Sequence, residues 1–132
     1  MKLLADTGAL LAFLLKNDQH HRDAVEFVRA HPNARFVLSS LILSEVVTRI
    51  RARADAGRAA ETGRKLLDSR RYSVVFVDAP LVQGGLDRME QLADKRLSLT
   101  DCVSFELIDR LGLQGAFAFD RDFRDCGYQM VP

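Results

Sequence analysis

Four carboxylates stand out by their surroundings: Asp6, Glu45, Asp101 and Asp120. Asp6 ends the apolar run Leu3-Leu4-Ala5, and Asp120 ends Ala116-Phe117-Ala118-Phe119. Asp101 opens an apolar helical segment. Glu45 lies within Leu41-Ile42-Leu43-Ser44-Glu45-Val46-Val47, where a carboxylate is costly unless paired or bound to a metal. Brought to one place, the four acids would repel one another without a cation. Oxygen-only ligands of this kind suit Mg²⁺ or Mn²⁺, which keep several waters and meet substrate phosphates. Such a site activates water for in-line attack on a phosphodiester and stabilises the leaving oxygen.

Each acid also has an ordinary alternative. Asp6 and Asp120 could N-cap the helices that follow them. Ser98-Leu99-Thr100-Asp101 matches a capping box. Glu45 could pair with Arg49, four residues on.

The elements that must position these groups alternate. Lys2–Ala5, Arg35–Leu38, Tyr72–Val77, Gly115–Phe119 and Tyr128–Val131 read as short strands, the last at an edge. Ala9–Leu15, Asp23–Ala30, Leu41–Ala54, a segment from Gly57 to Ser69, Pro80 to about Lys95, and Thr100–Leu111 read as helices. Ser39-Ser40 offers an N-cap, His31-Pro32-Asn33 a breaker and Gly112 a stop. Strands alternating with helices imply an α/β fold, a mostly parallel sheet with helices on both faces. In such open sheets ligands bind outside the carboxyl ends of the strands. Here those ends are followed mostly by aspartate.

The chain of 132 residues fits one domain, with the hydrophobic share (48%) and charged share (28%) of a globular protein. Its net charge of +1 neither demands nor excludes a nucleic-acid partner, but the charge is unevenly spread. Arg49 to Arg71 holds eight basic residues against Asp55, Glu61 and Asp68. That segment is either an RNA-backbone surface, with Arg49, Arg53 and Arg64 as candidate contacts, or a solvated helical face. It has no interleaved aromatics for base stacking. The two cysteines, Cys102 and Cys126, have no zinc-site spacing. The apolar N-terminus is interrupted by Asp6, lacks a small-residue cleavage site and is too short to span a bilayer. The expectation is a reducing, cytoplasmic protein without a membrane partner. His20 and His21 read as surface residues, and Gly84-Gly85 as either a close helix contact or a weak point.

Four segments together resemble the PIN-domain nucleases. LLADTGALLA resembles the family's opening strand and turn, and SSLILSEVVTRI its second motif. LSLTDCVSFELIDRLG resembles the third, a Thr-Asp pair opening a helix, and AFAFDRDF the fourth. The motifs stand in family order across nearly the whole chain. The length is most similar to that of VapC-type toxins of type II toxin–antitoxin pairs. The resemblance implies a three-layer α/β/α sandwich and a Mg²⁺- or Mn²⁺-dependent endoribonuclease, usually a homodimer, held inactive by a VapB-type antitoxin. It assigns Asp6, Glu45, Asp101 and Asp120 to the acidic quartet, with Thr7 and Thr100 orienting carboxylates or waters. Asp6, Asp101 and Asp120 are then the expected metal ligands, with Glu45 completing the site or acting through water. The fourth motif departs from the family in having Ala118 where Thr or Ser often stands. Asp122 close by competes with Asp120 for the last acidic role.

Two other functions compete. A phosphatase of the haloacid-dehalogenase type wants an Asp two residues after the first, where this chain has Gly8. An inactive module of the same fold that only binds RNA or protein is the rival from a different class, and it would show no thermal shift with Mg²⁺ or Mn²⁺.

Overall fold

Five short apolar segments pair into one sheet, and every pairing is parallel. In the computed structural model, which describes residues Met1–Pro132, the strands are β1 (Lys2–Ala5), β2 (Arg35–Ser39), β3 (Tyr72–Val75), β4 (Gly115–Phe117) and β5 (Met130–Val131). The helices are α1 (Thr7–Leu14), α2 (His21–Ala30), α3 (Ser40–Arg53), α4 (Ala56–Asp68), α5 (Ala79–Gln91), α6 (Leu99–Leu111) and α7 (Asp122–Asp125). Together they make a three-layer α/β/α sandwich, with sheet order β3-β2-β1-β4-β5. The sheet is entirely parallel, where the sequence indicated mostly parallel.

The central strands are apolar on both faces because helices cover both. Leu3, Leu4, Ala5, Phe36, Val37, Leu38, Ala116 and Phe117 are all buried. The side chain of Ser39 is fully buried yet satisfied: it caps α3 by accepting from the Ile42 N–H at 3.2 Å. Ser98 and Asp101 form a reciprocal capping box on α6. That helix ends at Gly112, whose φ of 60° is the left-handed conformation that glycine adopts most cheaply.

Several boundaries differ from the sequence expectation, each for a local reason. The β3 strand stops at Val75, and the Val77 N–H instead donates to Ser40 Oγ at 3.0 Å. The β4 strand stops at Phe117, which frees Phe119 and Asp120 from the ladder. The short helix α7 was not expected. It is one turn long, too short for hydrophobic periodicity to register.

The Gly84-Gly85 pair is explained by the contact between α5 and α6. A Cβ on Gly85 would lie 2.8 Å from Val103 Cγ2, and one on Gly84 would lie 2.8 Å from the Glu106 and Arg110 side chains. Arg88 binds the same two helices together through Glu106, at 2.7 Å, and Asp109. Gly85→Val is expected to cost about 1–3 kcal/mol, the usual range for overpacking. A lowered urea midpoint at unchanged slope would show this, whereas an unchanged midpoint would mean that the helices separate freely.

Candidate active site

The strand order reverses between β1 and β4, and a parallel sheet opens a crevice at the carboxyl ends of such a pair. Ala5 is in register with Phe117, so Asp6 leaves β1 beside the end of β4. Its backbone N–H donates to Phe117 O at 3.0 Å. Asp120 lies three residues past the end of β4, immediately after Phe119. Helix α3 rises from the end of the neighbouring β2 and carries Glu45 in its second turn. Helix α6 presents Thr100 and Asp101 in its first turn.

Asp6 stands at the α1 N-cap with extended backbone angles, but its side chain makes no capping hydrogen bond. The capping alternative therefore fails for it. Only 8% of Asp6 is exposed. Its pKa is raised from 3.8 to about 7, chiefly by burial and further by the charges of Asp101, Asp120 and Glu45, while the Thr7 N–H works the other way. Asp101 is also raised, first by burial and then by Asp120 and Asp122, although its capping bonds with Ser98 oppose the shift. Here the capping box and the acidic cluster coexist, since the Ser98 N–H takes Oδ2 of Asp101 and leaves Oδ1 free of the cap. Asp120 is exposed and accepts from the Asp122 N–H at 2.9 Å, a turn bond that does not cap α7. Asp122 is raised by burial and by the charges of Asp120 and Asp125, and its own charge in turn raises Asp101.

The Arg49 alternative for Glu45 also fails. Its carboxylate instead accepts from Thr7 Oγ1 at 2.7 Å and from Thr100 Oγ1 at 3.2 Å. Three elements far apart in sequence are thereby tied at one point. The sequence placed each threonine beside an aspartate. The structure shows both hydroxyls committed to the glutamate, a pairing across 38 and 55 residues that no local pattern reveals.

Six ion pairs occur in the protein and none includes Asp6, Glu45, Asp101, Asp120 or Asp122. Mutually repelling, oxygen-only donors without a basic partner are the chemistry of a hard divalent cation. No three of them close tightly enough to enclose an ion by themselves, so a cation here would keep water in its shell.

The candidate basic residues lie outside this group. Arg49, Arg53 and Arg64 are exposed and unpaired. Arg53 lines a cavity of about 870 Å³ with Lys16 and Arg58, at the end of α3 away from the acids. Arg64 instead borders a shallow depression shared with Glu61 and Asp68. Cys102 is fully buried, and burial and Asp101 push its thiol up, which disfavours a nucleophilic thiolate. His20 and His21 are half-buried, not free surface residues. No helix is long and apolar enough to cross a membrane.

The family model of the PIN domain matches residues 3–127. No curated protein matches the sequence. Among solved structures, the chain is similar to VapC20 of Mycobacterium tuberculosis, described as a sarcin–ricin loop cleaving toxin. The two are 25% identical with a TM-score of 0.86, over 96% of each chain. It shares its fold with a toxin–antitoxin complex from Klebsiella pneumoniae, at 13% identity and a TM-score of 0.69, over 98% of this chain and 96% of the other. It shares it too with VapBC2 from Rickettsia felis bound to a DNA fragment from their promoter, at 12% identity and a TM-score of 0.72, over the whole of both chains.

Proposed function

The chain belongs to the PIN-domain family, and from that premise we propose that it is a divalent-metal-dependent endoribonuclease, the toxin of a VapBC-type toxin–antitoxin pair. The observation that carries this reading is the buried, unpaired Asp6 among three further acids at the switch point of the sheet. RNA as substrate, a VapB-type antitoxin, a homodimeric state and a cytoplasmic location belong to the same proposal. The likeness to VapC20 and to toxin–antitoxin complexes supports the first two.

Asp6, Asp101 and Asp120 are the residues that would hold Mg²⁺ or Mn²⁺, which when bound supplies Lewis-acid stabilisation of phosphoryl oxygens and acidifies water. The chain's own part is to position. Glu45, held by two hydroxyls, is a fixed acceptor at the inner wall that orients a water proton. Asp101 accepts from the N–H of Ser98, the N-cap of α6, so its other oxygen keeps a constant direction. Asp122 extends the negative charge beside Asp101.

Arg49 and Arg53 follow Glu45 at four-residue steps on α3, each step about 6 Å along the helix axis. They form a basic track leading from the acids to the cavity that Arg53 and Lys16 line. A phosphodiester backbone laid along that track would place one phosphate at the carboxylates and others on the arginines. Arg64, flanked by acids, is the weaker contact of the three.

One observation favours a second reading. The acids do not enclose an ion unaided, which suits a module of this fold that binds without catalysis. Incubation of total cellular RNA with purified protein and Mg²⁺, Mn²⁺ or EDTA separates the two. Discrete, metal-dependent fragments with 5′-phosphate and 3′-hydroxyl ends are expected. Ends carrying 2′,3′-cyclic phosphate would overturn the mechanism, and folded protein with neither cleavage nor a metal-induced thermal shift would favour the binding module.

A further inference from the structure

The three histidines of the chain are used differently. The Nδ1 of His21 bonds to Ala12 O at 2.7 Å, and that of His31 to Phe27 O at 2.8 Å. Both rings are thus committed to holding the fold. The ring nitrogens of His20 have no partner in the protein. Its ring is nevertheless held firmly, stacked on Phe119 with centroids 4.3 Å apart and planes within 6°. Its backbone is held as well. The His20 N–H donates to Asp18 Oδ1 at 2.9 Å, and its carbonyl accepts from the Ala24 N–H in the first turn of α2.

The chain ties this pair directly to the acidic site. Phe119 lies two residues past the end of β4 and immediately precedes Asp120. The α1–α2 loop that ends at His20 also supplies Lys16, Asn17, Asp18 and Gln19 to the wall of the basic cavity. Phe119 of the stack is therefore joined by the backbone to one candidate ligand, and the loop that carries His20 continues into the cavity lined by Lys16, Arg53 and Arg58. A preorganised aromatic surface with a free polar edge is what a nucleobase requires. One ring packs, the nitrogens hydrogen-bond, and no ordering cost falls on the protein at binding.

We infer that His20, braced by Phe119, is a substrate-contacting residue that seats a nucleobase flanking the scissile phosphate. This rests on the ribonuclease reading above. It supplies the stacking group that the basic segment lacks, because that group is assembled from residues 99 positions apart in the chain.

The test uses the full-length protein with short single-stranded oligoribonucleotides carrying 2-aminopurine at successive positions. Binding is read in Asp6→Asn protein, and cleavage in protein with Asp6 intact. His20→Ala is expected to weaken binding and raise KM about tenfold, within the range of a base–aromatic stack, with kcat little changed. Quenching of 2-aminopurine should disappear in His20→Ala at one position and persist in His20→Phe, which restores the ring. Thermal melting of each variant checks that the fold is retained. Unchanged KM and unchanged quenching in folded His20→Ala would overturn this inference while leaving the ribonuclease standing. Protein with native Asp6 and His20 that neither binds nor cuts RNA would overturn both.

Discussion

Asp6→Asn is expected to cut RNA cleavage by at least about a hundredfold, since residues that merely support a metal ligand already cost about 10–100-fold when changed. The same substitution is expected to stabilise the metal-free protein. Asp6 has its pKa raised from 3.8 to about 7, chiefly by burial and then by Asp101. Between those values the folded protein holds a proton that the unfolded chain has released. Stability therefore falls as pH rises through the window from about 4 to about 7, and the charged form costs the fold about 4 kcal/mol above it. Asparagine keeps the shape and never ionises, so the variant should gain about 2–4 kcal/mol near neutral pH and nothing below pH 4. Melting curves across that range in EDTA, compared with those of the unsubstituted protein, measure the difference directly. Mg²⁺ should raise the melting temperature of the unsubstituted protein far more than that of the variant, because binding to the folded state alone adds stability. A variant that is inactive but no more stable at pH 7 would mean that Asp6 carries no electrostatic strain.

Phe105→Ala is the substitution with the largest expected effect on folding. Phe105 is fully buried one turn beyond Asp101 on α6. It meets Phe123 edge-on at 5.2 Å and stacks on Tyr128 at 5.0 Å. It thus joins the helix that carries Asp101 to the segment that follows Asp120. Truncation should cost about 3–5 kcal/mol, a large part of the 5–15 kcal/mol that holds a domain of ordinary size. The melting temperature should fall by on the order of 10–20 °C. Below that temperature activity should also fall, because Asp101 and Asp120 lose their common anchor. Phe105→Leu, which refills most of the volume, should recover most of both. A loss of less than about 1 kcal/mol on truncation would show that the site can collapse around the gap, as the most compliant core positions do.

The order of elements was legible in the sequence because hydrophobic periodicity is a local property. Lys2–Ala5 and Arg35–Leu38 read as strands from apolar runs too short for helices, and the structure places both at the centre of the sheet. The capping residues Ser39 and Ser98 were legible for the same reason, since a cap bonds within three residues. Boundaries were less so. Phe119 continues an apolar run but lies beyond the ladder, where its ring stacks on His20, a partner 99 residues away that no local pattern reveals.

Sequence by itself determined which groups could do chemistry here and roughly where each would lie: four acids at the ends of strands or the starts of helices, in an alternating α/β chain. It could not decide among the roles open to each acid. That choice depends on distances between residues far apart in the chain, and only the tertiary structure sets them. Packing buried Asp6 without a basic partner, turned Glu45 from Arg49 to Thr7 and Thr100, and allowed Asp101 to cap its helix while facing the cluster. It also braced His20 on Phe119. Burial and electrostatic coupling are properties of a place. A residue acquires them only when the rest of the chain has closed around it.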